Sequence, residues 1–416
     1  MAYNPKGMGE QDINEYLQMV AEWDRKSDET RGMITAMLNK KVSPEIWRGM
    51  MAVPPNSVLE SVLEAFKMET DIPLELPFFT MLHFVSGYLL SKRIKMTGKF
   101  GSIYPELWTI VLAESGTGKT FAHDQIAKHA PVKSDFPECN SGAKFIDAFQ
   151  ENNFGLWFQD EIAQKMKQIE TPQSPLADVK EYLLKAYSND KIERSTMKGG
   201  TITINEPCLG ILGLNTPASF YKSVSPESLL DGFMQRFACV VAEADPDRDV
   251  KLTPEQYALY DAEALQKASK RAFDKLLKVQ LHSEYRLSRE AEQAYIVSFG
   301  LLINSEDIPT SFFRRIMFRG FRYALLYHII LGKTSVDIDK EDIGWGARVA
   351  ALHLSDYKKL FTRDDNFGTL EKLITRTKIL KQRCEDEGKE FTHRYLQQQI
   401  GGKLKASGAK VLIGLV

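Results

Sequence analysis

One octapeptide constrains this chain more than any other feature, since residues 113–120 read Ala-Glu-Ser-Gly-Thr-Gly-Lys-Thr. Gly116 and Gly118 allow backbone N–H groups to approach phosphate oxygens closely, and Lys119 suits the β- and γ-phosphoryl oxygens. The hydroxyl of Thr120 is a ligand for Mg²⁺ in loops of this kind. The octapeptide predicts a loop that binds a nucleoside triphosphate, with a glycine-rich turn and an unrelated lysine as the alternative.

The surroundings of the loop have the pattern of a strand, a turn and a helix. An apolar β-type run occupies residues 107–112, and residues 121–129 can continue as a helix. The usual motif begins with glycine where this chain has Ala113, which a backbone angle that tolerates a Cβ atom could accommodate. We expect ATP to be bound by Glu114, Ser115, Gly116, Thr117, Gly118, Lys119 and Thr120.

Composition bounds the class of protein. With 416 residues and 43% hydrophobic content, the chain is long enough for two or three ordinary domains. Its opening residues lack a leader pattern, and no apolar stretch reaches the roughly 18 residues that span a bilayer. We therefore expect a cytoplasmic protein without a membrane partner. The four cysteines form no Cys-x-x-Cys pair, and a net charge of −1 argues against a surface that coats nucleic acid.

The order of patterns predicts an α/β fold. Between residues 107 and 244, short apolar β-type runs alternate with amphipathic helices, which is typical of a mostly parallel sheet with crossover helices. We expect a helical N-terminal region (1–70), the α/β ATPase core (71–250), a helical lid (251–363) and a small basic helical unit (364–416).

The C-terminal unit has a basic composition. The last 46 residues carry ten Lys/Arg and five Asp/Glu, a balance of +5 that indicates either a nucleic-acid contact or a solvated helical face. A polar stretch at 362–366 is expected to be a linker to the helices 370–387 and 392–400. The apolar ending resembles the recognition helix of a winged-helix unit before its wing, so we expect a truncated sequence.

A second motif places two carboxylates after an apolar run. Residues 154–159 read as a strand that ends at Asp160 and Glu161. At the carboxyl edge of a parallel sheet, Asp160 would join Thr120 in holding Mg²⁺, and Glu161 would polarise the attacking water. A helix N-cap at Asp160 is the structural alternative.

Two further motifs supply polar groups near strands. The apolar run 207–214 ends at Asn215, which would lie between the two strands already described and could bind the lytic water or a γ-phosphate oxygen. Turn chemistry also explains Asn-Thr-Pro. Arg236 precedes the apolar run 237–242 and could project into the ATP site of a neighbouring subunit, or pair with a local carboxylate.

Taken in order, these motifs resemble the AAA+-type ATPases of phage and mobile-element replication modules, relatives of superfamily-three and minichromosome-maintenance helicases. The motifs are Tyr-Pro-Glu-Leu-Trp at 104–108, Ser-Gly-Thr-Gly-Lys-Thr at 115–120, Asp-Glu at 160–161, Asn-Thr-Pro at 215–217 and Gly-Phe-Met-Gln-Arg-Phe at 232–237. The resemblance implies a P-loop AAA+-like core, a hexameric ring of identical subunits, ATP with Mg²⁺ at the subunit junctions, and single-stranded DNA in the pore. A primase or other replication proteins are further expected partners.

Two weaker assignments follow from the same resemblance. Arg315 and Arg322 lie seven residues apart on a predicted helix, 311–331, and hence on the same face, as in the lid helix that reaches back to the γ-phosphate, with Arg314 and Arg319 as competitors. Two β-type runs around Gly-Gly at 199–200 predict a hairpin. In ring helicases a hairpin at this position enters the channel, so the predicted DNA-binding residues are Lys191, Arg194 and Lys198. An ordinary solvated hairpin is the alternative.

Three functions fit these patterns. The first is an oligomeric ATP-dependent DNA helicase or translocase in phage, plasmid or mobile-element replication. The second is a nucleotide-switched initiator or helicase loader that binds origin DNA without unwinding it, which the basic C-terminal unit favours modestly. The third is a defence or signalling ATPase with the same ring architecture, which no residue of the sequence specifically indicates.

Overall fold

The computed structural model describes residues 25–36, 38, 53–54, 57–196, 200–224, 228, 232–243, 253, 258–303, 308–363, 365–400, 409–410 and 412–413. Residues 25–36 are helical. In chain order the following elements are α1 (Val58–Glu69), α2 (Glu75–Ser91), β1 (Lys95–Gly98), β2 (Gly101–Ile103), β3 (Trp108–Leu112), α3 (Lys119–Ala127), α4 (Gly142–Glu151), β4 (Gly155–Gln159), α5 (Ile162–Glu170), α6 (Val179–Tyr187), β5 (Ile192–Thr196), β6 (Gly200–Ile204), β7 (Leu209–Asn215), α7 (Pro217–Ser223), β8 (Ala238–Val241), α8 (Ala262–Leu276), β9 (Glu284–Leu287), α9 (Arg289–Leu302), α10 (Thr310–Ile330), β10 (Asp337–Ile338), α11 (Lys340–Arg363), α12 (Asp365–Asp386) and α13 (His393–Ile400).

The central sheet has four strands in the order β4-β7-β3-β8, and all its neighbours run parallel. The predicted α/β fold with a mostly parallel sheet is therefore confirmed. Leu112 at the end of β3 lies opposite Asn215 of β7 and Val241 of β8. Strand β7 lies between β3 and β4, as the sequence predicted. The segments that follow β3, β4 and β7 consequently meet at one edge of the sheet.

Helices cover both faces of this sheet. Alternate residues of β3 point to opposite faces, so that Ile110 joins one buried apolar cluster and Val111 joins another. The first cluster includes α4, α5 and α6, and the second includes α1, α2 and α8. Every residue of β3 and β7 is buried, which matches the continuous apolar character of strands covered on both sides.

A second sheet has the order β10-β9-β1-β2. Strands β1 and β2 are antiparallel, whereas β9 runs parallel to both β1 and β10. Met96 of β1 lies opposite Tyr285 of β9. The region predicted as a helical lid thus contributes two short strands, and this sheet joins segments from both sides of the predicted boundary at residue 250.

The predicted helices 311–331, 370–387 and 392–400 are close to the observed α10, α12 and α13. The prediction of a linker at 362–366 is wrong. Helix α11 continues to Arg363 and α12 begins at Asp365. The predicted N-terminal helices lie largely outside the described residues. So does most of the apolar C-terminal ending. In the described part of the chain, no helix combines the length and apolar character needed to cross a membrane.

One glycine of the central strand determines where α5 can lie. A Cβ atom at Gly213 would stand 2.7 Å from both Cβ and Cγ2 of Ile162, the first residue of α5. That separation is shorter than a van der Waals contact, and neither atom is at the end of a flexible side chain. Because Ile162 directly follows Glu161, this close approach also limits where the backbone of Glu161 can lie.

We predict that Gly213→Ala lowers the free energy of unfolding by about 1–3 kcal/mol, because a methyl group must be forced into a packed contact. Urea denaturation measures this loss. Gly300→Ala is the matched control, since Gly300 lies exposed in α9 with no atom within 4 Å of an added Cβ. The control should be neutral or stabilising by up to about 1 kcal/mol. Equal effects of the two substitutions would contradict this account.

Candidate active site

The glycine loop, residues 113–120, leaves β3 and enters α3. Gly116 has a φ of +82° and Gly118 a φ of +73°, in the left-handed region that favours glycine. Gly118 is also the N-cap residue of α3, so the loop delivers the N-terminus of that helix to the carboxyl edge of the sheet. Such a terminus carries unpaired N–H groups and a partial positive charge, which suit an anion.

Ala113, at the position where the usual motif has glycine, fits the strand exit. Its side chain is fully buried, and its φ is negative, as in an ordinary strand. Its N–H donates to the carbonyl oxygen of Asn215 at 3.0 Å, which continues the β3–β7 pairing by one residue. The expectation that a Cβ atom is tolerated here is confirmed.

Lys119 folds over the first residues of the loop. Its Nζ donates to the carbonyl oxygens of Ala113 at 3.0 Å and of Glu114 at 2.8 Å. Burial lowers the pKa of the Lys119 ammonium, while the carboxylates of Asp160 and Glu161 oppose that shift. The ammonium therefore lies partly buried at the loop. A polyanion bound there would further favour the charged form of Lys119.

The structure brings Thr120 and Asp160 together. Thr120 Oγ1 donates to Asp160 Oδ2 at 2.7 Å. Neighbouring ligands of an octahedral Mg²⁺ at 2.0–2.1 Å are about 2.9 Å apart, so the two oxygens have a separation that one cation could bridge. Hydroxyl and carboxylate oxygens are hard donors of the kind that Mg²⁺ prefers. These two residues fit the predicted metal.

Glu161 has a strained backbone. Its φ is +51° and its ψ is +42°, a left-handed conformation that costs a non-glycine residue about 1–2 kcal/mol. Its N–H donates to Asp160 Oδ1 at 2.9 Å. Glu161, and not Asp160, is the N-cap residue of α5, and the side chain of Glu161 makes no capping bond. The simple N-cap explanation of Asp160 is therefore wrong.

Asn215 ends β7 at the predicted edge, with its side chain fully buried. Its Oδ1 accepts from the N–H of Ala163 at 3.1 Å, and its Nδ2 donates to the carbonyl oxygen of Thr216 at 3.0 Å. The first bond satisfies an N–H in the opening turn of α5. Thr216 caps α7, which Pro217 begins, so turn chemistry explains these two residues. Contact between Asn215 and a lytic water stays a prediction.

His123 is a neighbour of the site that the sequence did not identify. Its ring stacks on Phe158 of β4, with centroids 3.6 Å apart and an interplanar angle of 10°. Burial lowers the pKa of His123, and the carboxylates of Asp124 and Asp160 oppose that shift. The stack ties α3 to the strand that precedes Asp160. The three-residue spacing between Thr120 and His123, which share a helix face, was the available signal.

An aromatic wall adjoins the loop on another side. A Cβ atom at Gly118 would lie 2.7 Å from Ile72 Cδ1 and 4.0 Å from Tyr260 Cε2. The ring of Tyr260 packs against Phe121 with centroids 5.4 Å apart, and its hydroxyl donates to Asp71. These residues lie far apart in the sequence, so no local pattern could have joined them. They present apolar side chains and the carboxylate of Asp71 beside the glycine loop.

Arg236 lies at the opposite edge of the sheet from the glycine loop of its own chain. It precedes β8, and its guanidinium stands 5.5 Å from the ring centroid of Tyr187, which packs against Trp108 at the start of β3. Its Nη1 donates to the carbonyl oxygen of Gly232 at 2.7 Å. The length of β3 separates the two edges by about 13 Å. Arg236 therefore does not serve the loop of its own chain in this structure.

Arg315 lies near Arg236 and not near its own loop. A Cβ atom at Gly232 would be 3.3 Å from Arg315 Nη2 and 3.5 Å from Arg236 Nη1. Arg315 therefore does not lie beside the glycine loop of its own chain, and its contact with a γ-phosphate stays a prediction. The helical spacing correctly placed Arg315 and Arg322 on one face of α10, since both lie near Tyr187. It could not indicate which edge of the sheet that face approaches.

The other arginines of α10 differ in their surroundings. Arg322 is buried and donates to Glu106 and to the carbonyl oxygen of Tyr104, which joins α10 to the approach of β3. Arg319 is buried and donates to the carbonyl oxygen of Arg236 at 2.6 Å. Arg314 is exposed. Arg322 and Arg319 thus have positions inside the fold.

The predicted hairpin is present. Strands β5 and β6 are antiparallel, with Ile192 opposite Ile204 and Thr196 opposite Gly200. Lys191 is exposed and pairs with Glu193, and Arg194 is half-buried. Lys198 lies outside the described residues. Contact of these side chains with DNA stays a prediction.

A group of three possible metal ligands lies elsewhere in the described part of the chain, at His328, Asp339 and Asp342. Asp339 and Asp342 each accept a backbone N–H of the other, which forms a capping box at the start of α11. Lys333 Nζ donates to both carboxylates. The lysine ammonium already supplies the positive charge, so the cluster has a structural explanation.

In comparisons with known proteins, no family model matches this chain and no curated protein matches it.

Proposed function

We propose that this chain is an oligomeric ATP hydrolase that acts as a DNA helicase or translocase in the replication of a phage, plasmid or mobile element. The observation that carries the proposal is the 2.7 Å contact between Thr120 and Asp160 beside the glycine loop. It places a hydroxyl, a carboxylate, an ammonium and a helix N-terminus at one edge of a parallel sheet. Few chemistries other than phosphoryl transfer need all four.

Each residue has a role in this chemistry. The N–H groups of the loop and Lys119 would bind the phosphates, and Thr120 with Asp160 would hold Mg²⁺, which supplies charge neutralisation when bound. Glu161 would accept a proton from water as the water oxygen attacks the γ-phosphorus, and ADP would leave with the electron pair of the broken bond. Asn215, through its bond to Ala163, would keep α5 and hence Glu161 in register with β7.

The strand order supports the resemblance to an AAA+-like core. Strand β7 lies between β3 and β4, so Asn215 stands between the glycine loop and the Asp160–Glu161 pair. Arg236, at the other edge, supports a ring in which the arginine of one subunit completes the site of the next. The aromatic wall at Ile72, Phe121 and Tyr260 is a suitable seat for the nucleobase.

The hairpin supports single-stranded DNA as the ligand in the pore. Arg194 lies on the antiparallel ribbon of β5 and β6, Lys191 directly precedes β5, and the sequence between the two strands includes Lys198. Lysine and arginine on such a ribbon contact phosphates without reading bases.

The second candidate is an initiator or loader that binds origin DNA without unwinding it. The pair α12 and α13 favours it: Leu380 and Cys384 of α12 and Leu396 of α13 are buried, and Arg394 of α13 is exposed. A short second helix on a basic unit suits a DNA groove. Strand displacement by the purified protein would exclude this candidate.

We predict that Glu161→Gln lowers the rate of ATP hydrolysis by about 10²–10⁴-fold, because the amide cannot accept the proton from water. Its affinity for ATP should stay within a few-fold of the unchanged protein, whereas Lys119→Ala should lose tight binding. Phosphate release and nucleotide titration measure the two quantities. Glu151→Gln, an exposed change at the end of α4, is the control. Full turnover by Glu161→Gln would refute its role.

We predict that single-stranded DNA accelerates hydrolysis and that Arg194→Ala combined with Lys198→Ala removes most of this acceleration. The physical reason is the loss of two phosphate contacts, which should also flatten the salt dependence of DNA binding. Lys144→Ala, an exposed change on α4, is the control. Hydrolysis that does not respond to DNA, with DNA binding unchanged in the double variant, would count against a motor.

A further inference from the structure

Helix α8 carries a row of basic side chains on its solvent side. Residues 262–278 contain five Lys/Arg and two Asp/Glu, a balance of +3 in a chain whose net charge is −1. Lys267, Arg271 and Lys275 follow one another at four-residue spacing and therefore share one face of the helix. Lys278 lies in the turn that directly follows. All four side chains are exposed, and they form the basic row.

Carboxylates leave the basic row uncompensated within the described residues. Asp274 pairs with Lys270 at 3.1 Å, on the same helix. Glu263 lies at the start of α8 but makes no ion pair with the row. In the part of the chain that the structure describes, no carboxylate lies within ion-pair distance of any member of the row. The four charges are therefore available to an anionic partner.

A second helix adds a cation beside the row. Gln266 Nε2 donates to Gln125 Oε1 of α3 at 2.8 Å, and Lys128 Nζ lies 3.5 Å from the same oxygen. Because Gln266 directly precedes Lys267, the ammonium of Lys128 stands close to the first member of the row. The basic surface is thus built by two packed helices, and the sequence pattern of α8 alone does not account for it.

The apolar side of α8 is already occupied by the protein. Phe273 packs edge to face on Phe84 of α2, with ring centroids 6.3 Å apart. The same side of the helix also buries Leu265, Ala272 and Leu276. A helix that binds a membrane surface inserts its apolar face into the lipid, which α8 cannot do in this fold. Of residues 262–278, Leu277 is the one large apolar side chain that is exposed. The surface therefore suits a hydrated polyanion.

The length of the row matches an extended polyanion. With a rise of about 1.5 Å per residue, members four residues apart stand about 6 Å apart along the helix, and the whole row spans about 16 Å. One strand of a nucleic-acid duplex places a phosphate about every 3.4 Å along the axis, so this span runs beside about five phosphates. A single small anion would meet only one or two members of the row.

The composition of the row favours a duplex over a single strand. Proteins that bind single strands combine basic side chains with exposed aromatic rings on which unpaired bases stack. Phe273 is the one aromatic residue of 262–278, and it is buried. A duplex keeps its bases stacked inside and presents its phosphates outward, so that lysine and arginine side chains alone can bind it.

We infer that the basic row, together with Lys128 and Lys270, binds the phosphate backbone of a duplex nucleic acid without reading its bases. This site goes beyond the proposed function, whose ligand is a single strand at the hairpin. Ile192 and Ile204 of the hairpin join the apolar cluster on one face of the central sheet, whereas Leu265 of α8 joins the cluster on the other face. The two surfaces therefore belong to different layers of the fold.

The test titrates a short, labelled DNA duplex with the full chain and follows fluorescence anisotropy between about 50 and 200 mM salt. The variant Lys267→Gln/Arg271→Gln/Lys275→Gln should bind the duplex at least about tenfold more weakly at the lowest salt concentration. The slope of log affinity against log salt should fall by about 2–3, because three phosphate contacts are lost.

A charge-matched control removes three exposed cations from α4, α5 and α10. It is Lys144→Gln/Lys167→Gln/Arg314→Gln. This control should change duplex affinity less than about twofold and leave the salt slope unchanged. A second variant that shares no position with the first, Lys128→Gln/Lys278→Gln, should lower the slope by about 2. It guards against a first variant that fails to fold.

Equal losses in the row variant and the control, or a salt slope that does not change, would overturn the duplex site. An equal loss of affinity for a single-stranded oligonucleotide of the same length would overturn the choice of a duplex. So would row-dependent binding to phosphatidylserine vesicles or to polyglutamate with duplex binding unaffected.

The titration needs no ATP, so the site and the proposed function can fail separately. A protein that does not hydrolyse ATP but binds duplex through the row would refute the proposed function and support the site. Hydrolysis that single strands accelerate, with duplex binding that ignores the row, would support the proposed function and refute the site.

Discussion

The hydrogen bond between Thr120 and Asp160 is the contact on which the arrangement of this molecule depends. It joins the first turn of α3 to the end of β4, although β7 lies between β4 and β3, the strand that leads into α3. The contact is possible only because β3, β4 and β7 are parallel and end at one edge. The strand order, the left-handed glycines and the stack of His123 on Phe158 all serve to hold this pair in place.

The two edges of the sheet carry different charged groups. Asp160 and Glu161 lie at the carboxyl edge with Lys119, and arginines lie at the amino edge around Tyr187, where Arg322 pairs with Glu106. In one chain the glycine loop and the arginines around Tyr187 therefore lie at opposite ends of the same strands. Copies arranged head to tail would bring the two kinds of edge together.

Local sequence predicted the parts of this structure that depend on few neighbours. The run 107–112, the carboxylates at 160 and 161 and the end of β7 were predictable, because buried parallel strands are continuous apolar runs whose last residues meet. Strands β9 and β10 were missed because four and two residues carry no period, and only pairing with β1 defines them. The edge reached by Arg315 depends on how α10 crosses the sheet, and the wall at Tyr260 depends on contacts with Asp71 and Phe121 across long sequence separations. Neither is encoded locally.

The most direct measurement of the central claim is a double-mutant cycle on the Mg²⁺-dependent affinity for ATP, using Thr120→Val, Asp160→Asn and the combined variant. If the two side chains hold one cation, each single change should weaken Mg²⁺-dependent binding and the second should add little, with a coupling energy of at least about 1 kcal/mol. Additive losses, or an affinity for ATP that does not depend on Mg²⁺ in the unchanged protein, would contradict a shared metal site at this edge of the sheet.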